Sequence, residues 1–237
     1  MFNRISSIIL AVMLFAVMIS SSKGHITVFV ASLILLMVAT FIINVRRIGL
    51  SWPHLLLPML YLLGLGSVFM VITSPSIRIM FLLAAAVAFF LVEMNLGKES
   101  HFLQDIYLFS VFALYMGVFA LHFYLHLSTF TVVAAVFILT YIFAIQGFAG
   151  FSLPAKKYFY LMSALSLAEV AWGLTLWPTH YIVNSVVVFC LYYLLWIFSF
   201  AAFFGKLSLK KIYLQLALVV FVLTVTFFSA SWMPLVS

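Results

Sequence analysis

The sequence predicts an all-α fold, a polytopic bundle of about nine transmembrane helices with no soluble domain, and three observations carry this prediction. Of the 237 residues, 68% are hydrophobic and only 6% are charged, roughly a quarter of the charged fraction in soluble proteins. So few polar side chains cannot cover the surface of a soluble domain, and a disordered chain would be poor in apolar and aromatic residues. The long runs are apolar on every face, as in Phe81–Leu91, whereas strands of a transmembrane barrel alternate apolar and polar residues.

Each element of this bundle follows from an apolar run of about the 20 residues that a helix needs to cross a bilayer. Charges and turn residues separate nine such runs, which predict spans at Ile5–Ser21, His25–Val45, His54–Thr73, Ile77–Leu96, Asp105–Tyr124, Thr129–Phe148, Tyr158–Leu176, Thr179–Phe204 and Ile212–Ser229. The first run ends at Ile19–Lys23, which lacks the small-x-small pattern of a signal-peptide cleavage site, so we expect a retained helix. Short connections favour antiparallel packing of successive helices, and we expect one bundle domain over residues 1–237.

The basic residues predict how the bundle is threaded, because cytoplasmic loops carry an excess of Lys and Arg. When the loops are assigned alternately to two sides, one side collects only two of the 11 basic residues, Lys23 and Arg78. The other side collects nine: Arg4, Arg46, Arg47, Lys98, Lys156, Lys157, Lys206, Lys210 and Lys211. We therefore expect the N-terminus inside, the C-terminus outside and a location in the cytoplasmic (inner) membrane.

The formal net charge of +7 has the same explanation. Basic residues spread through short loops on one side lie where anionic lipid headgroups attract them. The expected partners are membrane lipids, including anionic headgroups on the inner side, and other membrane proteins. No nucleic acid is expected.

Glu169 is the first candidate functional residue, because ionisable groups at membrane depth are costly and frequently functional. The other acidic residues, Glu93, Glu99 and Asp105, fall near predicted span ends or in a loop. Glu93 is expected to form an ion pair with basic residues or to contact lipid headgroups. Glu169 shares a 120° helical arc with small and polar residues, a pattern that allows close approach of another helix: Ser163, Ser166 and Gly173.

A binding cluster around Glu169 is predicted from the helical hairpin that contains it. Trp172 follows Glu169 at i+3, and His180 and Asn184 share a face of the next helix at i and i+4. The turn at Pro178 would bring that face near Glu169. Two interpretations stay open: Glu169 titrates or binds a ligand with help from Asn184, or it is a protonated acid hydrogen-bonded across the hairpin.

His122 and His126 are a weaker candidate metal site. An HxxxH spacing on a helix puts two imidazoles on one face, as two metal ligands require, and zinc, iron, copper or a haem would be compatible. The alternative is a pair of histidines at a wet interface, and no cofactor is predicted. Cys190 is the single cysteine, so no intrachain disulfide forms.

The sequence leaves three functions open. It contains neither the HExxH pair of zinc proteases nor the GxSxG turn of serine hydrolases, so an enzyme is the less favoured class. The favoured hypothesis is a non-catalytic membrane component or scaffold subunit. The alternatives are a small-solute or proton-linked transporter that uses Glu169, and a lipid-modifying enzyme with a site at His122 and His126.

The late hairpin resembles a family. The segments Ala168–Leu174, Trp177–Tyr181 and Tyr192–Trp196 form a Glu–Trp–Pro pattern ahead of a Tyr-rich helix. This pattern is similar to that of uncharacterised multi-pass membrane proteins of genome-reduced candidate-phylum bacteria (Patescibacteria), over about residues 160–212. The resemblance implies a bacterial cytoplasmic membrane, singles out Glu169, Trp172 and Pro178, and implies no activity.

Overall fold

The computed structural model describes residues 2–21, 26–46, 52–97, 101–148, 156–177, 179–204 and 209–230. Every regular element within these ranges is a helix, which confirms the all-α prediction. The helices are α1 (Phe2–Ser21), α2 (Ile26–Val45), α3 (Trp52–Val71), α4 (Pro75–Asn95), α5 (His101–Leu125), α6 (Thr129–Gly147), α7 (Lys156–Thr175), α8 (Tyr181–Phe204) and α9 (Leu209–Ser229).

Six of these helices are long and apolar enough to cross a membrane, which fits a multi-pass membrane protein. They are α2, α4, α5, α6, α8 and α9. Helices α1 and α3 carry shorter apolar stretches, at Ile5–Ile19 and Leu55–Val71. Helix α7 belongs to neither group among the described residues, because Lys156, Lys157 and Glu169 make it less apolar than its neighbours.

The chain divides into two compact units, residues 1–113 and 114–237, and the boundary falls inside α5. The expectation of one bundle domain over the whole chain stays a prediction.

The first unit is built on a ring of four helices. Helix α1 packs against α2 and α4, and α3 packs against the same two helices. Short connections join α1 to α2, α2 to α3 and α3 to α4, so helices that follow each other in the chain should run in opposite directions. Tyr61 links α3 to α4. Its buried hydroxyl donates a hydrogen bond to the Ala85 carbonyl oxygen at 3.1 Å, and its aromatic side chain stacks on that of Phe89.

Glycines in α3 bring other helices close to its backbone. A Cβ added at Gly66 would lie 2.8 Å from Leu33 Cδ2 of α2, and one at Gly64 would lie 3.1 Å from the Ala113 Cβ of α5. Helix α3 also continues through Pro58. These glycines therefore serve close helix packing, the use that small residues have in membrane bundles.

In the second unit, α7 packs against α6 and α8, and α8 packs against α9. The face that α7 buries is rich in small residues, which lets α6 approach closely: Ser163, Ala164, Ala168 and Ala171. The second half of α5 joins this unit through Tyr115, whose ring lies edge-on to Phe143 of α6 and Tyr192 of α8.

Helix α9 lies at the edge of the second unit. Among its described side chains only Val219 is buried, and most of the others are exposed apolar residues. Tyr193 of α8 donates a hydrogen bond to Gln215 Oε1 of α9 at 2.7 Å. Phe227 of α9 also contacts the Trp177 ring, at 5.7 Å between centroids. A helix whose described surface is mostly exposed and apolar matches a lipid environment.

Candidate functional site

Glu169 lies on the exposed side of α7. It is six residues from the end of the helix at Thr175, or about 9 Å along the axis. Among the described residues it forms no hydrogen bond or ion pair. Its carboxyl group therefore projects from the surface of the second unit, with apolar Leu165 and Trp172 and polar Ser166 among its exposed neighbours on the helix.

The residues around Glu169 form a continuous exposed strip, which we call the α7 face. It consists of Tyr158, Met162, Leu165, Glu169, Trp172 and Leu176, all exposed. Their spacing alternates between four and three residues, the pattern of a helix–helix seam. Trp172 is 58% exposed, so Glu169 and Trp172 lie on the same exposed face of α7.

Asn184 forms its hydrogen bonds within the hairpin between α7 and α8. It is buried, accepts a hydrogen bond from the Thr179 hydroxyl at 2.5 Å, and donates to the Leu174 carbonyl oxygen at 3.4 Å. Because Leu174 is in the last turn of α7 and Asn184 in the first turns of α8, these bonds hold the hairpin together. Leu174 lies about 140° around the helix from Glu169 at 100° per residue.

His180 lies in the connection before α8, partly exposed. Its ring centroid is 4.1 Å from that of Tyr181 and 5.3 Å from that of Phe123. The ring accepts a long hydrogen bond at Nδ1 from the Ile182 amide, at 3.4 Å. Partial burial lowers the pKa of His180 below its ordinary value of 6.5, because burial disfavours the charged imidazolium.

The structure thus divides the predicted cluster in two. Glu169 and Trp172 occupy the exposed α7 face, whereas Asn184 is buried in the hairpin and bonded to Thr179 and Leu174. No hydrogen bond joins Glu169 to His180 or Asn184 in the part of the chain that the structure describes. Pro178 lies outside the described residues.

The expected HxxxH face does not form, because α5 ends at Leu125 and only His122 lies on it. His126 follows with φ 51°, a left-handed conformation that reverses the chain. His122 Nδ1 lies 2.6 Å from the Leu127 carbonyl oxygen, and since a carbonyl only accepts, Nδ1 carries the proton. Within the described ranges no group of three His, Cys, Asp or Glu side chains could hold a metal ion.

The first unit contains a buried acid, Glu93, which the sequence analysis did not select as a candidate site residue. Glu93 of α4 is only 2% exposed, and it accepts a hydrogen bond at Oε1 from the Asn44 amide of α2 at 2.9 Å. This burial leaves no room for the expected headgroup contact. Of the basic residues expected near Glu93, Arg46 is exposed, and Arg47 and Lys98 lie outside the described residues.

Three other polar residues of the first unit are buried as well: Ser6 and Ser7 near the start of α1 and Thr40 of α2. Asn44 Oδ1 is buried and accepts no hydrogen bond from a described residue. The signal in the sequence was a polar residue in the last turn of α2, Asn44, and another in the last turn of α4, Glu93, since the alternating threading places these two helix ends on the same side.

Comparison of the chain with models of protein families, with curated proteins and with solved structures finds no match. The resemblance of residues 160–212 to membrane proteins of candidate-phylum bacteria stays a prediction.

Proposed function

We propose that the chain is a non-catalytic component of a membrane assembly, a subunit that associates with another transmembrane protein through the α7 face. The observation that carries this proposal is the exposed carboxyl group of Glu169 within an apolar helix surface. An acidic residue at the centre of a span costs about 2.5–3.5 kcal/mol on insertion scales. A helix that packs against the face and hydrogen-bonds the carboxyl group offsets this cost.

The geometry favours this function over transport through Glu169. Acids on a transport path face the bundle interior or a water-filled cavity, whereas Glu169 points away from the helices that α7 packs against. Asn184, the proposed assistant, has its hydrogen bonds satisfied within the hairpin. The lipid-modifying alternative has less support, because His126 lies beyond the end of α5 and does not share a helix face with His122.

The threading belongs to the same proposal. Nine spans, with the N-terminus inside and the C-terminus outside a bacterial inner membrane, place nine basic residues on the cytoplasmic side and two on the other. A reporter fused after Ser237 should be active only outside the cytoplasm. A reporter that stays cytoplasmic would refute this threading.

The association itself is tested by native electrophoresis of membranes that contain the wild-type chain or Glu169→Leu. The wild type should migrate as a complex larger than one 26.8 kDa chain, and Glu169→Leu should shift it toward the single chain. Leu218→Ala, which alters an exposed apolar residue of α9, is the matched control and should leave the complex intact. An unchanged complex in Glu169→Leu would contradict the proposal.

A second candidate function, proton- or cation-linked transport, draws on Glu93 instead. A buried carboxyl group that faces an amide from another helix is the arrangement in which an intramembrane acid exchanges a proton, and Glu93 has it. Flux into proteoliposomes that is abolished in Glu93→Gln and retained in Glu169→Gln would establish this function. Equal flux in both variants would reject it.

A further inference from the structure

We propose that Asn44 and Glu93 form a binding site for one small monovalent cation, such as Na⁺, at the end of the four-helix ring. The inference goes beyond the subunit function. It deepens the second candidate function, on which any role of the ion in transport rests, by naming the class of ion and its ligands. The argument uses one hydrogen bond, one buried amide oxygen and two helix ends.

The pair lies between opposite helices of the ring. Helices α2 and α4 each pack against α1 and α3, so the bond from Asn44 to Glu93 crosses the ring. Both side chains are almost completely buried, with exposed fractions of 1% and 2%. Ligand and metal sites of helical bundles are built in the same way, from inward side chains of facing helices.

The orientation of the amide leaves an acceptor beside the carboxyl group. Asn44 Nδ2 donates to Glu93 Oε1 at 2.9 Å, and the bond lengths of an amide place its oxygen and nitrogen about 2.2 Å apart. Asn44 Oδ1 therefore lies within about 5 Å of Glu93 Oε1. It is buried and accepts no hydrogen bond from a described residue. Because hard cations bind oxygen at about 2.3–2.6 Å, one ion can reach both oxygens.

The ends of α2 and α4 add a negative potential at this place. Asn44 is one residue from the end of α2 at Val45, and Glu93 is two residues from the end of α4 at Asn95. The last carbonyl groups of a helix lack partners within the helix, and the helix dipole places about half a negative charge there. Two such ends meet at the bond between Asn44 and Glu93, and both favour a cation.

The single carboxylate matches an ion of single charge. A monovalent cation neutralises Glu93, whereas a divalent cation would leave an excess positive charge in a buried site, which is costly. Within the described ranges no group of three His, Cys, Asp or Glu side chains could hold a divalent metal. Carboxylate and amide oxygens are ligands that hard cations prefer, which favours an ion such as Na⁺ over a transition metal.

Sodium binding to the purified chain in detergent tests the site directly. With choline chloride as the background salt, the wild type should bind one radioactive Na⁺ per chain in equilibrium dialysis. Glu93→Gln should lose saturable binding, because it keeps the shape of the side chain and removes its charge. Asn95→Ala is the matched control, since Asn95 is in the same turn of α4 but donates to Leu91 of its own helix; its binding should be unchanged. A wild type that binds no Na⁺ saturably refutes the site.

A second variant tests the match of charge. Asn44→Asp places another carboxylate beside Glu93, and a pair of carboxylates suits a divalent cation. This variant should gain thermal stability from Ca²⁺. The wild type should instead gain about 3–6 °C in melting temperature for each tenfold rise of Na⁺ above its dissociation constant. If Ca²⁺ stabilises the wild type as much as the variant, or Na⁺ acts no more than choline, the monovalent site is contradicted.

The outcomes separate this site from the proposed functions. If Na⁺ binds as described but no Glu93-dependent flux appears, the site stands and the transport function is wrong. If flux depends on Glu93 while neither binding nor flux depends on Na⁺, the transport function stands and the cation site is overturned in favour of a proton. The subunit function is tested at Glu169, in the other unit, and does not depend on either result.

Discussion

The buried hydrogen-bond chain between α5 and α6 allows a prediction about two single substitutions that look equivalent. The Tyr115 hydroxyl lies 2.8 Å from Thr140 Oγ1, and both residues are completely buried. Thr140 Oγ1 also donates to the Val136 carbonyl oxygen at 2.7 Å. Since a threonine hydroxyl has one proton, Tyr115 must be the donor in the first bond.

The direction of the bonds determines which substitution is worse. Tyr115→Phe removes one donor and leaves the Thr140 hydroxyl bonded to Val136, so the loss is one neutral hydrogen bond. Such a bond contributes about 0.5–1.5 kcal/mol, and interhelical bonds in membranes average about 0.6 kcal/mol. Thr140→Val instead leaves the Tyr115 hydroxyl buried without an acceptor, which costs about 1–3 kcal/mol. We expect Thr140→Val to destabilise the chain about twice as much as Tyr115→Phe.

The double variant sharpens the test, because replacing both partners leaves no unsatisfied group. We expect its loss of unfolding free energy to lie close to that of Tyr115→Phe alone and well below the sum of the two single losses. Unfolding from lipid–detergent bicelles, monitored by circular dichroism, measures all three values. Tyr115→Phe as costly as Thr140→Val, or losses that add within about 0.5 kcal/mol, would refute the assigned direction.

Three further predictions concern other parts of the chain. Asn44→Ala and Glu93→Ala should show a coupling free energy of about 1–2 kcal/mol in a double-mutant cycle, because the buried amide donates to the carboxyl group at 2.9 Å; additive losses would contradict the bond. Gly64→Ala should lower the unfolding free energy by about 1 kcal/mol or more, because the added Cβ would lie 3.1 Å from the Cβ of Ala113 on α5, which cannot rotate away. Gly173→Ala should be neutral or stabilising, because its Cβ would meet nothing within 4 Å. The imidazole of His180 should titrate below pH 6.5 by NMR, because burial lowers its pKa. Since its pKa is lower in the folded state, the stability of the fold should decrease as the pH drops from 6.5 through that lower pKa. A titration midpoint at or above 6.5 would contradict this assignment.

Local features of the sequence were sufficient to predict where the helices lie. The predicted span Thr129–Phe148 corresponds to α6 at Thr129–Gly147, and Asp105–Tyr124 lies within α5 at His101–Leu125. These bounds follow from apolar runs and from the turn residues between them, both of which can be read from neighbouring residues. The shared helix face expected for His122 and His126 is absent for a local reason too, because His126 takes a left-handed conformation just after the end of α5.

Burial of particular side chains could not be predicted in the same way. In a soluble helix the polar side marks the surface, but a membrane helix is apolar on its lipid side and on its packed side alike. The pattern of α7 therefore did not show that Ser163 is buried while Ser166 and Glu169 are exposed. That division depends on where α6 and α8 pack against α7, which is information about three helices rather than one.

The two acids show how position along a span differs from burial within a bundle. Glu93 is two residues from the end of α4, yet the ring of four helices encloses it and Asn44 hydrogen-bonds it. Glu169 is further inside its helix, yet its side chain projects outward from α7. The chain itself supplies a hydrogen bond to Oε1 of the enclosed Glu93, so we expect its substitution to act first on folding. The outward Glu169 is exposed, so under the proposed function its substitution should act first on association. Comparing Glu93→Leu with Glu169→Leu should therefore separate the two effects. The first should lower the thermal stability of the single chain, and the second should leave that stability unchanged while weakening the proposed complex. Equal loss of stability in both variants would show that Glu169 is satisfied within its own chain.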